Sequence, residues 1–226
     1  MKKLINSALI LLALTFVLSA CEKKNGEGEG EMNSKNIFQT PEEAIVKAKN
    51  DLIQVLETDK EIDLGIDVEK LRQAEQAKSV EYSDVDFEKL LKTENVQSLS
   101  EISLSPKAVV APFVFQNNFV AVVEVSKELS EWKISGLGNK PITEDLNAAG
   151  IPNSRDAQVT IYEVPNLEIF IYGVNMNGTE TYHLNYGEFS LRDSVSVQQF
   201  YPLLRENSIR FQREYGDILK KEKLLK

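Results

Sequence analysis

The sequence predicts an α+β fold, and three features of its apolar pattern predict it. Apolar residues recur at helical spacing between residues 41 and 57 and again between residues 197 and 218. Two groups of short apolar segments lie between these helices, and tight turns rich in Asn and Gly separate the segments of each group. We therefore expect antiparallel sheet from two three-stranded meanders, packed by an N-terminal helix and a long C-terminal amphipathic helix.

The N-terminal helix has a clear start signal. Thr40 can cap the helix, Pro41 suits its first position, and Glu43 stands where a capping box needs a carboxylate. The apolar stripe that follows consists of Ile45, Leu52 and Leu56, with Ala44, Ala48 and Val55 beside it. This spacing predicts a helix that ends near Glu57.

The sequence signals for helices and strands are weaker between residues 58 and 105. A strand is indicated by Val80, Tyr82 and Val85. Ser83 can cap a short helix whose apolar residues are Phe87, Leu90 and Leu91.

The first meander is predicted at residues 109–115, 119–125 and 132–135. Gln116, Asn117 and Asn118 form the first turn, since Asn tolerates positive φ. The first two strands are apolar on both faces, which indicates burial from two sides. Pro112 lacks a backbone donor and therefore predicts a sheet edge or a bulge.

The second meander is predicted at residues 158–164, 167–174 and 179–186, with turns at Pro165-Asn166 and Asn177-Gly178. A short capped helix at residues 143–146, ending before Gly150, and a loop at residues 151–156 separate the two meanders. The C-terminal helix starts either near Val197 or at Pro202.

The N-terminus has the layout of a secretory signal. Two lysines, Lys2 and Lys3, precede an apolar run of about eleven residues, which is shorter than the roughly twenty that a membrane-spanning helix needs. Leu18-Ser19-Ala20-Cys21 closes the segment and resembles the lipobox of bacterial lipoprotein precursors. The resemblance implies cleavage after residue 20 and a lipid, including palmitate, on Cys21. The alternative is an ordinary signal peptide that ends in a chance cysteine.

Residues 21–38 are predicted to form a flexible acidic tether. Gly and Glu alternate from Gly26 to Glu31 without an apolar residue, so this stretch cannot bury enough surface to order itself. Acidic residues after the lipidated cysteine resemble the surface-export signals of some Gram-negative lipoproteins. We expect a lipid-anchored protein of the bacterial envelope, at the outer membrane, with its periplasmic or surface-exposed side left open.

Residues 39–226 form the folded part, as one domain or as two packed halves divided near residues 140–156. Loss of Lys2 and Lys3 from the 26 basic residues leaves 24 against 35 acidic ones, a formal charge of −11. This charge argues against a nucleic-acid partner. Cys21 is the only cysteine, so an internal disulfide and thiol catalysis are both excluded.

Motifs for catalysis, metals or cofactors are lacking. The only histidine, His183, is predicted on the polar face of a strand as a solvated or hydrogen-bonded side chain. The glycines of residues 136–140 lack the spacing of a phosphate loop, and we interpret them as a turn. Asp63, Asp67 and Glu69 lack the spacing of an EF-hand. We therefore predict no metal and no cofactor.

Strand alternation can place several aromatic side chains on one face of the second meander. Tyr162, Tyr172 and Tyr182 are the candidate ligand-facing residues, with Phe170 and Tyr186 nearby. Such a face would stack a glycan or grip a peptide of an envelope protein. The alternative is that this face packs beneath the C-terminal helix.

Two function classes follow. The first is a noncatalytic interaction or ligand-binding module that a lipid holds at the membrane, and a protease inhibitor or folding partner is not separable from it. The second is an envelope hydrolase that acts through Asp and Glu carboxylates. Missing catalytic motifs favour the first class.

Overall fold

The computed structural model describes residues 37–59, 61–151 and 157–224, with side chains described up to Gly216. The described residues all belong to one compact unit and form a mixed α+β structure, which confirms the predicted fold class. The five described α-helices are α1 (Pro41–Thr58), α2 (Val68–Gln73), α3 (Phe87–Lys92), α4 (Lys140–Ala148) and α5 (Val197–Leu224). The strands are β1 (Glu75–Gln76), β2 (Val80–Asp84), β3 (Ala108–Phe115), β4 (Asn118–Glu128), β5 (Glu131–Leu137), β6 (Gln158–Val164), β7 (Ile169–Met176) and β8 (Thr179–Leu184).

All eight strands belong to one large, mostly antiparallel sheet. Seven of them follow the order β5-β4-β3-β2-β6-β7-β8, and β1 pairs with β3 beside β2. The pair of β2 and β6 is parallel, with Tyr82 opposite Ile161, whereas the other strand pairs are antiparallel. The sheet therefore continues without a break between the strands that precede and those that follow residues 140–156.

Helices cover both faces of the sheet. Successive side chains of a strand point to opposite faces, and apolar side chains on both faces pack against helices. On one face, α1 and α2 pack on β3, β4 and β5, while α3 and α5 pack on β6, β7 and β8. On the other face, α4 packs on the middle of the sheet. Neighbouring residues separate the two faces: Ile161 belongs to the core beneath α4, and Tyr162 belongs to the core beneath α5.

The start of α1 confirms the predicted cap. The Thr40 hydroxyl accepts a hydrogen bond from the Glu43 N–H at 3.2 Å. The Glu43 carboxylate accepts from the N–H of Gln39 rather than from that of Thr40, so the reciprocal bond is displaced by one residue.

The starts of α3 and α4 differ from the sequence prediction, whereas α5 begins at the earlier of its two predicted starts. Asp86 caps α3, whereas Ser83 is buried within β2. Asn139 caps α4, so this helix begins at Lys140, three residues before Thr143. Helix α5 begins at Val197 and contains Pro202. Pro202 has no N–H to donate to the carbonyl of Gln198, four residues earlier in the helix. The proline is tolerated because both residues are exposed and water can bind that carbonyl.

The strand ends also differ slightly. A 3-10 turn at Pro165–Leu167 delays β7 to Ile169, and β8 ends at Leu184 because Tyr186 pairs with Phe189 in a tight turn. The two predicted Asn turns are confirmed: Gln116, Asn117, Asn177 and Gly178 all have positive φ. The predicted loop at residues 151–156 lies outside the described residues, apart from Ile151.

Candidate functional site

A half-open cleft lies on the α4 side of the sheet, and we call it the Pro112 cleft. Its volume is about 500 Å³, within the range of small-molecule sites. Its floor is apolar and consists of Val80, Pro112, Val114, Phe119, Ile151 and Val159. Apart from Pro112, these residues belong to the core beneath α4 or lie against it, so the cleft is the open end of that core.

Pro112 explains why the sheet opens at this place. The carbonyl of Pro112 accepts a hydrogen bond from the N–H of Ala77 at 2.9 Å, so both backbone positions of Pro112 face β1 and β2. Because proline has no N–H, the ladder cannot continue there, and residues 77–79 separate β1 from β2. The predicted irregularity lies on this side of Pro112, where the register along β3 shifts by one residue between β1 and β2. A second shift, between Phe113 and Val114, lies on the β4 side. β3 is not an edge strand, because it pairs on both sides.

The rim of the cleft is polar but carries little charge. Four exposed carboxamide side chains line it, namely Gln73, Gln76, Gln116 and Asn117. Glu75 and Lys78 are the charged residues described in the lining, and their formal charges cancel. The rim therefore offers hydrogen-bond donors and acceptors without a net field, although the protein as a whole is acidic.

The β3–β4 hairpin supplies one wall of the cleft, and α4 holds it in place. Gln116 and Asn117 form its turn with φ of 50° and 64°. Asn147 of α4 binds both backbone polar groups of Phe119, at 2.9 Å and 2.8 Å. The rim residues at the turn are thus positioned by an element outside the hairpin.

A second depression of about 390 Å³ lies on the other side of this hairpin. Its charged lining residues are largely paired with each other: Lys70 with Asp67 at 3.2 Å, and Lys140 with Glu144 at 3.7 Å. These paired side chains are less available to bind a ligand than the exposed carboxamides at the rim of the Pro112 cleft.

The three tyrosines predicted to face a ligand are buried instead. Tyr162 is 3% exposed, and Tyr172 and Tyr182 are 0% exposed. They do not share one face, because Tyr162 and Tyr182 lie beneath α5 whereas Tyr172 lies beneath α4. The ring of Tyr182 contacts Phe200 of α5 with centroids 5.3 Å apart. Packing beneath the C-terminal helix is therefore found for Tyr162 and Tyr182, whereas Tyr172 packs beneath α4. The burial of all three side chains is contrary to the ligand-facing prediction.

The hydroxyl of each of these three tyrosines binds a carboxylate. Tyr162 and Tyr182 donate to Glu180 at 3.1 Å and 2.5 Å, and Tyr172 donates to Asp145 at 2.8 Å. Burial, followed by the adjacent carboxylate, raises the pKa of all three hydroxyls. Burial also raises the pKa of Asp145, and the bond from Tyr172 opposes part of this rise. These tyrosines are structural hydrogen-bond donors.

Other predicted positions also have structural partners. The Nδ1 atom of His183 lies 2.9 Å from the carbonyl oxygen of Leu191, which confirms a hydrogen-bonded histidine. Gly138 has φ of 70° at the junction of β5 and α4, where an added Cβ would lie 2.9 Å from Leu64. The segment leads directly into α4, and Gly138 packs against the core. Asp67 caps α2.

Two carboxylates of the sheet, those of Asp84 and Glu163, belong to residues that are opposite each other on β2 and β6. Lys107 binds both of them, at 2.6 Å and 2.5 Å, and Tyr82 donates to Glu163 at 2.5 Å. Burial alone would raise the pKa of Glu163, but the bonds from Lys107 and Tyr82 lower it. This carboxylate is held ionised and is not adjusted to exchange protons near neutral pH.

No group of three or more His, Cys, Asp or Glu side chains within the described residues is placed to hold a metal ion. Of the described helices, none has the length and apolar character required to cross a bilayer. Cys21, the predicted signal peptide and nearly all of the predicted tether lie outside the described residues.

The cleft was not predicted from the sequence, although one signal for it was visible. Pro112 interrupts an apolar strand, which indicates a ladder break. The glutamines of the rim carry no such signal, because they lie in segments distant along the chain. The chain matches no protein-family model, no curated protein and no solved structure.

Proposed function

We propose that this chain is an envelope lipoprotein, anchored through a lipid on Cys21, whose folded domain is a noncatalytic ligand-binding module. The observation that carries the binding role is the Pro112 cleft, with its apolar floor and neutral carboxamide rim. Such a site suits a ligand that has one apolar face and an uncharged polar edge. A glycan and a peptide segment of an envelope protein both meet this description.

The lining of the cleft supports binding rather than catalysis. Histidine, serine and cysteine are missing from its described lining residues, and Glu75 and Lys78 are both exposed. A carboxylate hydrolase, the second function class, would need two carboxylates that act together on a ligand. The pair of Asp84 and Glu163 is instead occupied by Lys107 and Tyr82, which argues for the noncatalytic class.

We further propose that the sheet functions as two three-stranded meanders joined through β2. In this arrangement β3, β4 and β5 form one meander, and β6, β7 and β8 form the other. The cleft lies where the two meet, since Pro112 belongs to the first and Val159 to the second.

The anchor is tested by Cys21→Ser in the native host. We expect this variant to leave the membrane fraction and to lose radiolabelled palmitate. Ala20→Ser keeps a small residue before the cysteine and serves as the control that stays labelled. Continued labelling of Cys21→Ser would overturn the lipid anchor.

The cleft is tested by NMR titration of the full mature chain with neutral oligosaccharides and uncharged peptides. We expect shifts in the amide signals of Gln76, Gln116 and Asn117, but none at the distant Asn177 turn. Ala77→Trp should fill the cleft and weaken binding at least tenfold. Ala148→Trp, on an exposed position of α4, is the matched control. Binding that Ala77→Trp leaves unchanged would contradict the site.

A further inference from the structure

We infer that the tip of the β4–β5 hairpin inserts Leu129 into the lipid bilayer that carries the anchor. This inference rests on the proposed lipid anchor and adds a second contact with the same membrane. It depends on the exposure and backbone conformation of Leu129, on the projection of the hairpin from the sheet, and on the place where the tether joins the domain.

Leu129 is an apolar side chain in a position that favours glycine. It is 103% exposed and has φ of 56°. Among the described non-glycine residues with positive φ, it is the only apolar one, since the others are Gln116, Asn117, Glu168 and Asn177. A glycine would relieve the backbone strain, and a polar residue would expose less apolar surface to water. Neither folding nor solubility therefore explains a leucine here, and strain of this kind indicates a contact outside the fold.

The tip projects from the body of the sheet. On this side, β3 pairs with β4 no further than Val109 and Val125, and the pair of Glu128 with Glu131 closes the hairpin. Four residue steps separate Val125 from Leu129, which corresponds to roughly 13 Å along a strand. An interfacial segment enters a bilayer by about 5–10 Å. The hairpin is therefore long enough to bring Leu129 to the acyl chains while the sheet stays outside the bilayer.

The charges at the tip permit this approach. The hairpin end carries two basic and two acidic residues, namely Lys127, Lys133, Glu128 and Glu131. Lys133 pairs with Glu128, and Nζ of Lys127 lies 5.9 Å from the centre of the Trp132 ring. Because the four formal charges cancel, the tip has no net charge to desolvate at the interface. A tryptophan close to the inserted residue is typical of membrane-contacting surfaces.

The tether joins the domain beside the base of this hairpin. Both backbone polar groups of Phe38 bond those of Trp132, at 2.8 Å and 2.9 Å. Sixteen residue steps lie between Cys21 and Ile37, so these two residues can be at most roughly 55 Å apart. A lipid on Cys21 therefore holds the tip near one bilayer and raises its effective concentration there. Under these conditions the insertion of a single leucine contributes to docking.

The experiment couples the mature chain, residues 21–226, to vesicles of neutral phosphatidylcholine. Cys21 is the only cysteine, so a maleimide lipid attaches the chain at that residue without any enzymatic acylation. Trp132 is the only tryptophan, so quenching of its fluorescence by spin-labelled headgroups reports docking of the hairpin. We expect the coupled wild-type chain to dock.

Leu129→Gly should weaken docking about tenfold, the effect of removing one leucine side chain from an apolar environment. The glycine also relieves backbone strain, so unfolding does not account for this loss. Met176→Gly is the matched control, because Met176 is 48% exposed at the end of β7 beside the Asn177 turn. It should change docking less than about twofold. Equal losses for the two variants would overturn insertion through Leu129.

A reporter at the tip measures insertion directly. In Leu129→Trp combined with Trp132→Phe, lipids brominated on their acyl chains should quench the tryptophan at the tip. Met176→Trp in the same background should stay unquenched. A tip that stays unquenched would overturn the inference, even where another surface docks. The comparison of Leu129→Gly with Met176→Gly stands where the double variants do not fold.

Other outcomes separate this inference from the proposed anchor. Tip insertion in the coupled chain, with no palmitate on Cys21 in the host, would overturn the anchor and leave the membrane contact standing. Palmitate on Cys21, with a tip that stays in water, would overturn the inference and leave the anchor intact. Protection of the Leu129 amide from hydrogen exchange in isolated envelopes would then identify a protein partner as the occupant of the tip.

Discussion

Asn147 of α4 binds Phe119 of β4 through both of the backbone polar groups of that residue. The Phe119 N–H donates to Oδ1 of Asn147 at 2.9 Å, and Nδ2 of Asn147 donates to the Phe119 carbonyl at 2.8 Å. Nδ2 also donates to the carbonyl of Thr143 within α4 at 3.0 Å. One carboxamide thus binds backbone groups that the β4–β5 pairing, which ends at Val123 and Leu137, does not reach, in the hairpin that forms a wall of the Pro112 cleft.

Asn147→Ala should lower the free energy of unfolding by about 2 kcal/mol, because it leaves two poorly solvated backbone groups of Phe119 without partners. Urea denaturation measures this loss, and the Phe119 amide should exchange its hydrogen faster. Asn147→Asp keeps the acceptor and loses the donor, so the Phe119 amide should stay more protected than in Asn147→Ala. Equal exchange in both variants would show that the acceptor bond has no role.

Gly173→Ala should destabilise the protein by about 2 kcal/mol, although alanine in an extended strand is ordinarily preferred over glycine. An added Cβ would lie 2.8 Å from Oε1 of Glu180 and 2.8 Å from Cε2 of Tyr162. The substitution would therefore displace the carboxylate that accepts bonds from Tyr162 and Tyr182. Thermal denaturation gives the sign of the effect, and a raised melting temperature would contradict the packing described.

Lys107→Met should lower the free energy of unfolding by about 1 kcal/mol at pH 7, because it removes the bonds to Asp84 and Glu163. The loss is small because Lys107 is partly exposed and water screens these bonds. The folded pKa of Glu163 is lowered from its ordinary value of 4.5. A lowered carboxyl pKa contributes stability above the unfolded value, and that contribution is lost as pH falls through the folded value. The difference between wild type and Lys107→Met should therefore shrink in acid.

Urea denaturation at pH 7 and at about pH 3 measures this difference. Lys92→Met is the matched control, because Lys92 pairs with Glu88 on the exposed surface of α3. We expect the control to change the unfolding free energy by less than about 0.5 kcal/mol at both pH values. A loss for Lys107→Met that persists unchanged in acid would contradict the role of Glu163.

Leu129→Gly should stabilise the protein by about 0.5–1 kcal/mol, because Leu129 occupies the β4–β5 turn with φ of 56° and is 103% exposed. The substitution relieves backbone strain and removes no packed side chain. Leu104→Gly is the control, since Leu104 is also exposed but has no positive φ, and it should destabilise the protein. Chemical denaturation measures the change in the free energy of unfolding for both variants, and we expect an increase for Leu129→Gly and a decrease for Leu104→Gly.

Sequence signals from residues close together along the chain were sufficient to predict most of the helices and strands. The start of α1 depends on Thr40, Pro41 and Glu43, which act within one turn of each other. The β3–β4 and β7–β8 hairpins depend on Asn residues at positions that require positive φ. Such contacts join residues a few positions apart, so the sequence displays both partners together.

The predicted starts of α3 and α4 were wrong because two residues of similar capping ability lie close together at each of them. Asn139 was preferred over Thr143 because its cap allows α4 to bury Ile142 and Leu146 against the sheet. Asp86 was preferred over Ser83 because Ser83 is needed within β2, opposite Tyr162. Tertiary packing chose between caps that are locally equivalent.

The sequence by itself determined the α+β class, the hairpins and the presence of a ladder break at Pro112, because these follow from the spacing of neighbouring residues. Only the tertiary structure decided that β2 joins β6 in parallel, which brings Tyr82 next to Ile161 from about eighty residues away. The β6–β7 register, with Tyr162 opposite Ile171, placed Tyr162 and Tyr172 on opposite faces, where the helices bury both. The β2–β6 pairing brought Val159 into the same cleft as Pro112. Contacts between distant strands depend on how whole faces pack, and no local pattern of residues encodes that choice.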